Sequence, residues 1–304
     1  MELGDYPKTV IEFVDCFSTD KACCDYLIKI RWPDGFICPK CSGTKGWINL
    51  RDVYECASCN YQTSITAGTV LEGTRKSLRE WFHAMWWVCT QTTGGSAKGL
   101  QRLLGLKSYQ TAWTWLHKLR IAMVRSDRTL LSDTIELDEI FIGGSLSGKR
   151  GRGAEGKTLV AVAVERNGKQ NERIRLAVIP NASSEILDGF VKTNIAKGST
   201  IITDGWNGYN NLNKLEYTHK VEVKTVGEEN LLPHVHTIAA LLKRWLLGTH
   251  HGAVSTKHLQ PYLDEFVFRQ NRRKSRYVGK IFYRLVQGAM VSAPKQYKSF
   301  VKTT

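Results

Sequence analysis

The chain has 304 residues, room for two or three domains, and its 42% hydrophobic and 23% charged residues exclude a wholly disordered protein. Lys and Arg number 43 against 28 Asp and Glu, and the net charge of +15 points to a polyanionic partner, nucleic acid first. No apolar run approaches the roughly 20 residues of a membrane span, and no secretory pattern opens the acidic amino terminus. The expected setting is cytoplasmic and nucleoid-associated, where the eight Cys stay reduced and paired spacing means metal rather than disulfides. The charge is uneven: residues 1–36 hold seven acids and four bases, net −3, which leaves +18 for the remainder.

Residues 7–30 read as helical and half-buried, with Val10, Phe13, Val14 and Phe17 at helical spacing. Cys16, Cys23, Cys24 and Cys89 have no paired spacing and read as small core residues. Residues 36–65 are too poor in apolar side chains to fold without a staple. Within them Cys38-Pro39-Lys40-Cys41 and Cys56-Ala57-Ser58-Cys59 are two knuckles separated by 14 residues. Each knuckle puts two thiolates on one side of a tight turn, and the pair completes a tetrahedron for one structural Zn²⁺. All four positions are protein ligands, so this zinc is not catalytic.

Residues 77–123 read as three helices. Ser77 and Glu80 form a capping box, Ser96 caps a second helix after Gly94 and Gly95, and Ser108 caps a third after the Gly105 turn. Length and turn placement suit a helix-turn-helix. Its third helix is expected to expose Tyr109, Gln110, Trp113, Thr114, His117 and Lys118, with Gln110 and Lys118 reaching DNA.

From Asp133 the pattern becomes β-rich, with strands at 134–142, 158–165, 172–180 and 199–203 and a helix at 183–195 before the last. That order is α/β and begins an RNase H-like fold. Helices follow at 233–247, started by Pro233 and stopped by Gly248, at 256–268 and at 279–291. The expected domains are an amino-terminal helical segment, 1–35, a zinc ribbon, 36–65, a helix-turn-helix-like segment, 66–128, and an RNase H-like catalytic domain, 129–304. Lys149, Arg150, Arg152 and Lys157 lie in a glycine-rich loop suited to closing on a phosphate backbone. Arg272 and Arg273 belong to a second cluster with Arg269, Lys274 and Arg276, suited to gripping backbone rather than reading sequence.

Along 134–142 the acids Glu136 and Asp138 share a face with Ile140, and Asp204 ends a buried strand. If the two strands are neighbours, Asp138 and Asp204 converge, and paired carboxylates suit Mg²⁺ or Mn²⁺.

The knuckles CPKC and CASC, then TAGTVLEGTRKSLREWF, LQRLLGLKSYQTAW, LDEIFIGG, KRGRG, TDGWNGY, PHVHTIAALLKRWLLGTHHG and YLDEFVFRQNRR, follow one another from Cys38 to Arg273. Over that span the chain resembles the bacterial DDE-type transposases of the insertion sequence 1595 family, relatives of the eukaryotic Merlin elements. The resemblance implies a DNA transposase that binds the terminal inverted repeats of its element and carries out metal-dependent cleavage and strand transfer on double-stranded DNA, as a homo-oligomer. It makes Asp138 and Asp204 catalytic metal ligands and gives Lys243 the lysine two helical turns beyond the third position. His236 occupies that third position, while Ala239 stands where the Merlin-like branch has Glu; His234, Glu228 and Glu229 are rival third groups. The alternatives are a zinc-ribbon DNA-binding regulator and an inactivated transposase, and intact Asp138 and Asp204 argue against both.

Overall fold

In the computed structural model, two threonines divide the amino-terminal helical stretch into α1, Val10–Cys16, and α2, Asp20–Arg31. The side chains of Thr9 and Thr19 each accept a backbone N–H of the following turn. The structure describes residues 4–49, 51, 53–125, 127–143, 157–167, 170–222, 231–251 and 254–301. Phe13 and Phe17 turn inward, whereas Val10 and Val14 stay exposed. Three short strands follow, β1, Gly46–Ile48, β2, Tyr54–Cys56, and β3, Gln62–Thr63, antiparallel in that order. Next come α3, Leu78–Thr90, α4, Ala97–Leu103, and α5, Tyr109–Ala122. The Ser77–Glu80 capping box is present, and Ser96 and Ser108 accept the backbone N–H groups of Gly99 and Gln110. Gly94 and Gly105 take the left-handed φ values, 86° and 60°, that the two turns require.

Residues Asp127–Arg273 form a second unit, a mixed α/β layer structure. Its strands are β4, Thr134–Ile142, β5, Thr158–Asn167, β6, Gln170–Ile179, β7, Thr200–Thr203, and β8, Thr218–Val221. The sheet order is β6-β5-β4-β7-β8, antiparallel through the first three strands and parallel through the last three. Helix α6, Ser184–Asn194, covers one face, where Leu187, Phe190 and Val191 meet Ile135, Leu137, Ala161 and Ile201. Helices α7, Pro233–His250, and α8, Thr256–Gln270, cover the other, where Val235, Ile238 and Leu242 meet Ile140, Val160, Val162 and Ile202. The strand alternation thus sorts residues between two cores. Helix α7 does not stop at Gly248; it continues to His250 and ends where His251 turns left-handed, φ 51°. No described helix is long and apolar enough to cross a membrane.

The last helices, α9, Val278–Val291, and α10, Tyr297–Val301, return to the first unit, which comprises Met1–Ser126 and Lys274–Thr304. The span 129–304 expected of one domain therefore ends at Arg273 as a compact unit. Phe282 of α9 sits in an aromatic cluster with Phe13, Phe17, Phe82 and Trp86, at centroid distances of 5.5, 5.7, 5.6 and 5.7 Å. The approach is backbone to backbone: a Cβ on Gly288 would stand 1.8 Å from the Ala122 carbonyl oxygen, and one on Gly279 1.6 Å from that of Pro7.

Gly288→Ala must push α9 off α5, and overpacking of this kind costs about 1–3 kcal/mol or more. A lower urea midpoint for unfolding of the first unit is expected. Gly189→Ala, at a helical position with open space around it, should move stability the other way, by roughly 0.5–1 kcal/mol.

Candidate functional site

The ribbon brings Cys38, Cys41, Cys56 and Cys59 together with all four sulfurs within 4.8 Å of one another. Cys38–Cys59 and Cys41–Cys56 are 3.7 and 3.6 Å apart, close to the edge of about 3.8 Å that a tetrahedron with zinc–sulfur bonds of about 2.3 Å requires. The knuckles share one construction. The residue after each second cysteine, Ser42 or Asn60, is left-handed, φ 60° or 54°, and its N–H returns to the carbonyl of the first cysteine. Gly43 lets the chain pass the sulfurs: a Cβ there would lie 3.3 Å from Cys41 Sγ and 3.4 Å from Cys56 Sγ. The ribbon leans on α2 through the Trp32, Phe36 and Tyr54 rings and through Arg31, whose guanidinium binds the carbonyls of Ser64, Ile65 and Ala67. The four thiols fit zinc in number, softness and spacing.

In the second unit, β4 and β7 are parallel neighbours whose last pair is Glu136 opposite Ile202; Asp138 and Asp204 each follow two residues after that pair. Glu136 and Asp138 share the face that meets α7. Glu136 is fully buried. Its Oε2 accepts the N–H groups of His234 and Val235, at 2.8 and 3.1 Å, and its Oε1 pairs with Arg166 at 3.1 Å. Helix α7 opens Leu232-Pro233 with no capping side chain of its own, so the carboxylate supplies the acceptors from across the core. Sequence reasoning grouped Glu136 with Asp138 without finding this role. The available signal was a helix start lacking Ser, Thr, Asp or Asn.

So fixed, α7 places His236 Nε2 4.0 Å from Asp138 Oδ2. A groove of about 780 Å³ runs beside them, lined by Asp138, Glu139, Lys157, His236, Ala239 and Lys243 among others. Asp204 is exposed, and its Oδ1 accepts the Trp206 N–H at 3.0 Å, which shapes the turn after β7. Glu139 accepts a 2.5 Å hydrogen bond from the hydroxyl of buried Tyr209. Burial first, and then the charges of Glu139, Asp138 and Asp204, hold that phenol protonated well above its ordinary range. Tyr209 was absent from the sequence-based set.

Among the described residues, the four cysteines are the one group of three or more metal-capable side chains that converges; Asp138, Asp204 and His236 do not close into a comparable cluster. His234, a rival for the third position, is buried beside Glu136, 3.9 Å away, and does not line the groove. Glu228 and Glu229 lie outside the described residues, as do Lys149, Arg150 and Arg152. Lys157, at the end of the same glycine-rich loop, reaches the groove.

On α5, Gln110 and Tyr109 are exposed as expected, but His117 is fully buried. Its ring lies between Trp113 and Phe300 of α10, at 4.0 and 5.5 Å, which removes it from the expected exposed face. Lys118 is half-buried with its ammonium 5.9 Å above the Trp81 ring, and burial lowers its pKa. Arg272 stacks 4.0 Å over Phe268 and donates to its carbonyl, while Arg273 donates to the carbonyls of Glu172 and Gln270.

Residues 130–271 match the model of the ISXO2-like transposase domain, and residues 18–62 that of the transposase zinc-ribbon domain. An uncharacterized protein in transposable element ISH50 of Halobacterium salinarum is 27% identical over 281 residues, covering 84% of this chain and 92% of that protein.

Purified protein should contain about one zinc per chain, and chelation should abolish amide-exchange protection across residues 36–65 while β4 to β7 keep theirs. A chain free of zinc with that protection intact would contradict the assignment. Glu136→Ala should destabilise the second unit by about 3 kcal/mol or more, since buried N–H groups and Arg166 lose their partner. Glu136→Gln keeps a carbonyl acceptor and should cost less; urea unfolding, with exchange rates at His234 and Val235, checks both.

Proposed function

The chain belongs to the insertion sequence 1595 family of transposases, and from that premise we propose that it is an active DNA transposase that cleaves the ends of its element and transfers them to target DNA. The observation that carries the reading is the meeting of Asp138, His236, Lys157 and Lys243 along one groove, with Asp204 following the neighbouring strand β7. The strand pattern, three antiparallel strands continued by two parallel ones, supports an RNase H-like catalytic fold.

Asp138 and Asp204 offer the hard oxygen donors that Mg²⁺ or Mn²⁺ take. Bound there, a divalent cation supplies Lewis acidity for attack by water or a 3′-hydroxyl and for departure of the leaving oxygen. The protein's own groups do the positioning. Lys157 and Lys243 hold backbone phosphates along the groove. His236, beside Asp138 and exposed to the groove, contacts the scissile phosphate or completes the ligand set. Water first attacks the phosphodiester at the element's end; the 3′-hydroxyl so freed then attacks a target phosphate, with no covalent protein–DNA bond.

The first unit recognises the terminal repeats. Its consecutive helices α4 and α5, joined by the Gly105 turn, support a helix-turn-helix reading, and the stretch 92–125 contains six Lys or Arg and no Asp or Glu. Exposed Lys98, Arg102, Lys107, Tyr109 and Gln110 form the DNA-facing set. Joining two ends to one target requires more than one copy, so the active form is a homo-oligomer, working on chromosomal DNA in the cytoplasm.

On a labelled terminal repeat, Asp138→Asn and Asp204→Asn should each lower metal-dependent cleavage by orders of magnitude and leave DNA binding near wild type. Asn at 204 keeps an acceptor for the Trp206 N–H, so the turn survives and a loss reports the charge. Near wild-type cleavage by either variant removes that Asp from the ligand set; binding without any metal-dependent nicking by the parent protein favours a DNA-binding regulator. His236→Ala should be more damaging than His234→Ala, with Mn²⁺-favoured parent activity if the imidazole is a ligand and equal use of Mg²⁺ if it contacts phosphate.

A further inference from the structure

Backbone pairing between β4 and β7 ends at Glu136 opposite Ile202, so Asp138 and Asp204 both stand beyond the last rung. Asp138 stays in the β4–β5 ladder and β7 stays paired with β8 through Thr203, but no β4–β7 rung sets the separation that a shared metal requires of their carboxylates. One side-chain bond crosses the opening further along: the Tyr209 hydroxyl donates to Glu139 Oε1 at 2.5 Å. Glu139 follows Asp138 directly. Tyr209 ends the short 3₁₀ turn Asn207–Tyr209, five residues after Asp204.

The turn between Asp204 and Tyr209 is held elsewhere too. Asp204 Oδ1 accepts the Trp206 N–H, and Trp206 Nε1 donates to the Ala182 carbonyl at 2.9 Å. A Cβ on Gly208 would stand 2.8 Å from that same carbonyl oxygen. A turn packed this tightly transmits a restraint at one end to the other. Tyr209 is fully buried, so its hydroxyl needs an acceptor, and the Glu139 carboxyl oxygen supplies it.

We propose that Tyr209 and Glu139 form a clasp that closes β4 against the turn after β7 and thereby fixes the spacing of Asp138 and Asp204. Both are positioning residues, and neither holds the metal. This rests on the reading of the two aspartates as a metal pair and adds what sets their separation.

The test uses the full chain with its zinc, Mn²⁺ as probe, and two readouts besides cleavage: Mn²⁺ affinity by titration, and amide exchange at residues 204–209 without added divalent metal. Tyr209→Phe keeps the ring and deletes the bond. It should speed exchange in that turn and weaken Mn²⁺ binding and cleavage by roughly 10–100-fold. Glu139→Ala should do the same, and the double variant should be little worse than either single one, because both remove one interaction. Glu139→Gln keeps an oxygen acceptor and should recover most of the affinity. Unchanged exchange in Tyr209→Phe, or unchanged Mn²⁺ affinity, overturns the clasp. So does Glu139→Gln as weak as Glu139→Ala beside a normal Tyr209→Phe, since Glu139 would then be a ligand. If Asp138→Asn and Asp204→Asn leave Mn²⁺ binding untouched while Tyr209→Phe still loosens the turn, the metal reading has failed, and the clasp's catalytic role with it.

Discussion

A carboxylate buried in the centre of a sheet must find donors, and the donors that Glu136 finds are the first free N–H groups of α7. Burying an unpaired charge costs several kcal/mol. Two backbone N–H groups, the positive end of a helix and the Arg166 guanidinium offset that cost together. The benefit runs both ways. Leu232 cannot cap, so without Glu136 the start of α7 would bury unsatisfied donors against the core. A leucine at 136 would match the apolar face and leave that defect. The contact also joins β4 to α7 at a single point of register. His236 is two residues along the helix from His234, and Asp138 is two residues along the strand from Glu136. The short His236–Asp138 distance follows from the structural pair one step before it.

Two successive acids on one strand face therefore do different work, and their surroundings assign it. Glu136 has no solvent and a full set of donors, so its charge is used up inside the fold. Asp138 borders the groove, close to a half-exposed imidazole. Glu139 also borders the groove, but its carboxylate is met by the Tyr209 hydroxyl. The strand end thus alternates a structural acid, a groove acid and a clasped acid. Periodicity separates the faces; only the packed partners separate the roles.

What was legible in the chain was what local chemistry dictates. The cysteine pairs needed only their spacing. The serine caps of α3, α4 and α5 needed only the next turn, and the strand alternation of β4 and β5 needed only their own side chains. The unread parts depend on distant partners. The α9 pattern says helix, but Gly279 and Gly288 reveal their purpose only against Pro7 and Ala122. His117 looked solvent-facing until Phe300, 183 positions later, covered it. Strand β8, Thr218–Val221, is short and largely exposed, without the apolar alternation that marks a strand. Gly248 sits in open space with ordinary helical backbone, so it had no reason to end α7. In the site, Asp138 was visible as an acid within a strand and Asp204 as one at a strand end, whereas Glu139 and Tyr209 are joined across 70 positions.

Net charge is a poor guide to which cations meet DNA, because the fold engages many of them first. The exposed edge of β6 shows why. Asn271 and Gln260 of the α8 region satisfy the N–H groups of Ile174 and Val178 and the carbonyls of Ile174 and Leu176, and Arg273 takes the carbonyl of Glu172. Alternate edge groups from 172 to 178 are thereby sealed against pairing with another chain, a recurrent need of edge strands. Arg269 closes an ion pair with buried Glu265, and Arg173 another with Glu165. These arginines hold the second unit together. Lys157 and Lys243 line the groove in the same unit. Within the arginine cluster that is densest in sequence, Arg269, Arg272 and Arg273 are thus engaged by α8 and the edge of the sheet. The lysines at the groove are few, but they stand beside the acids.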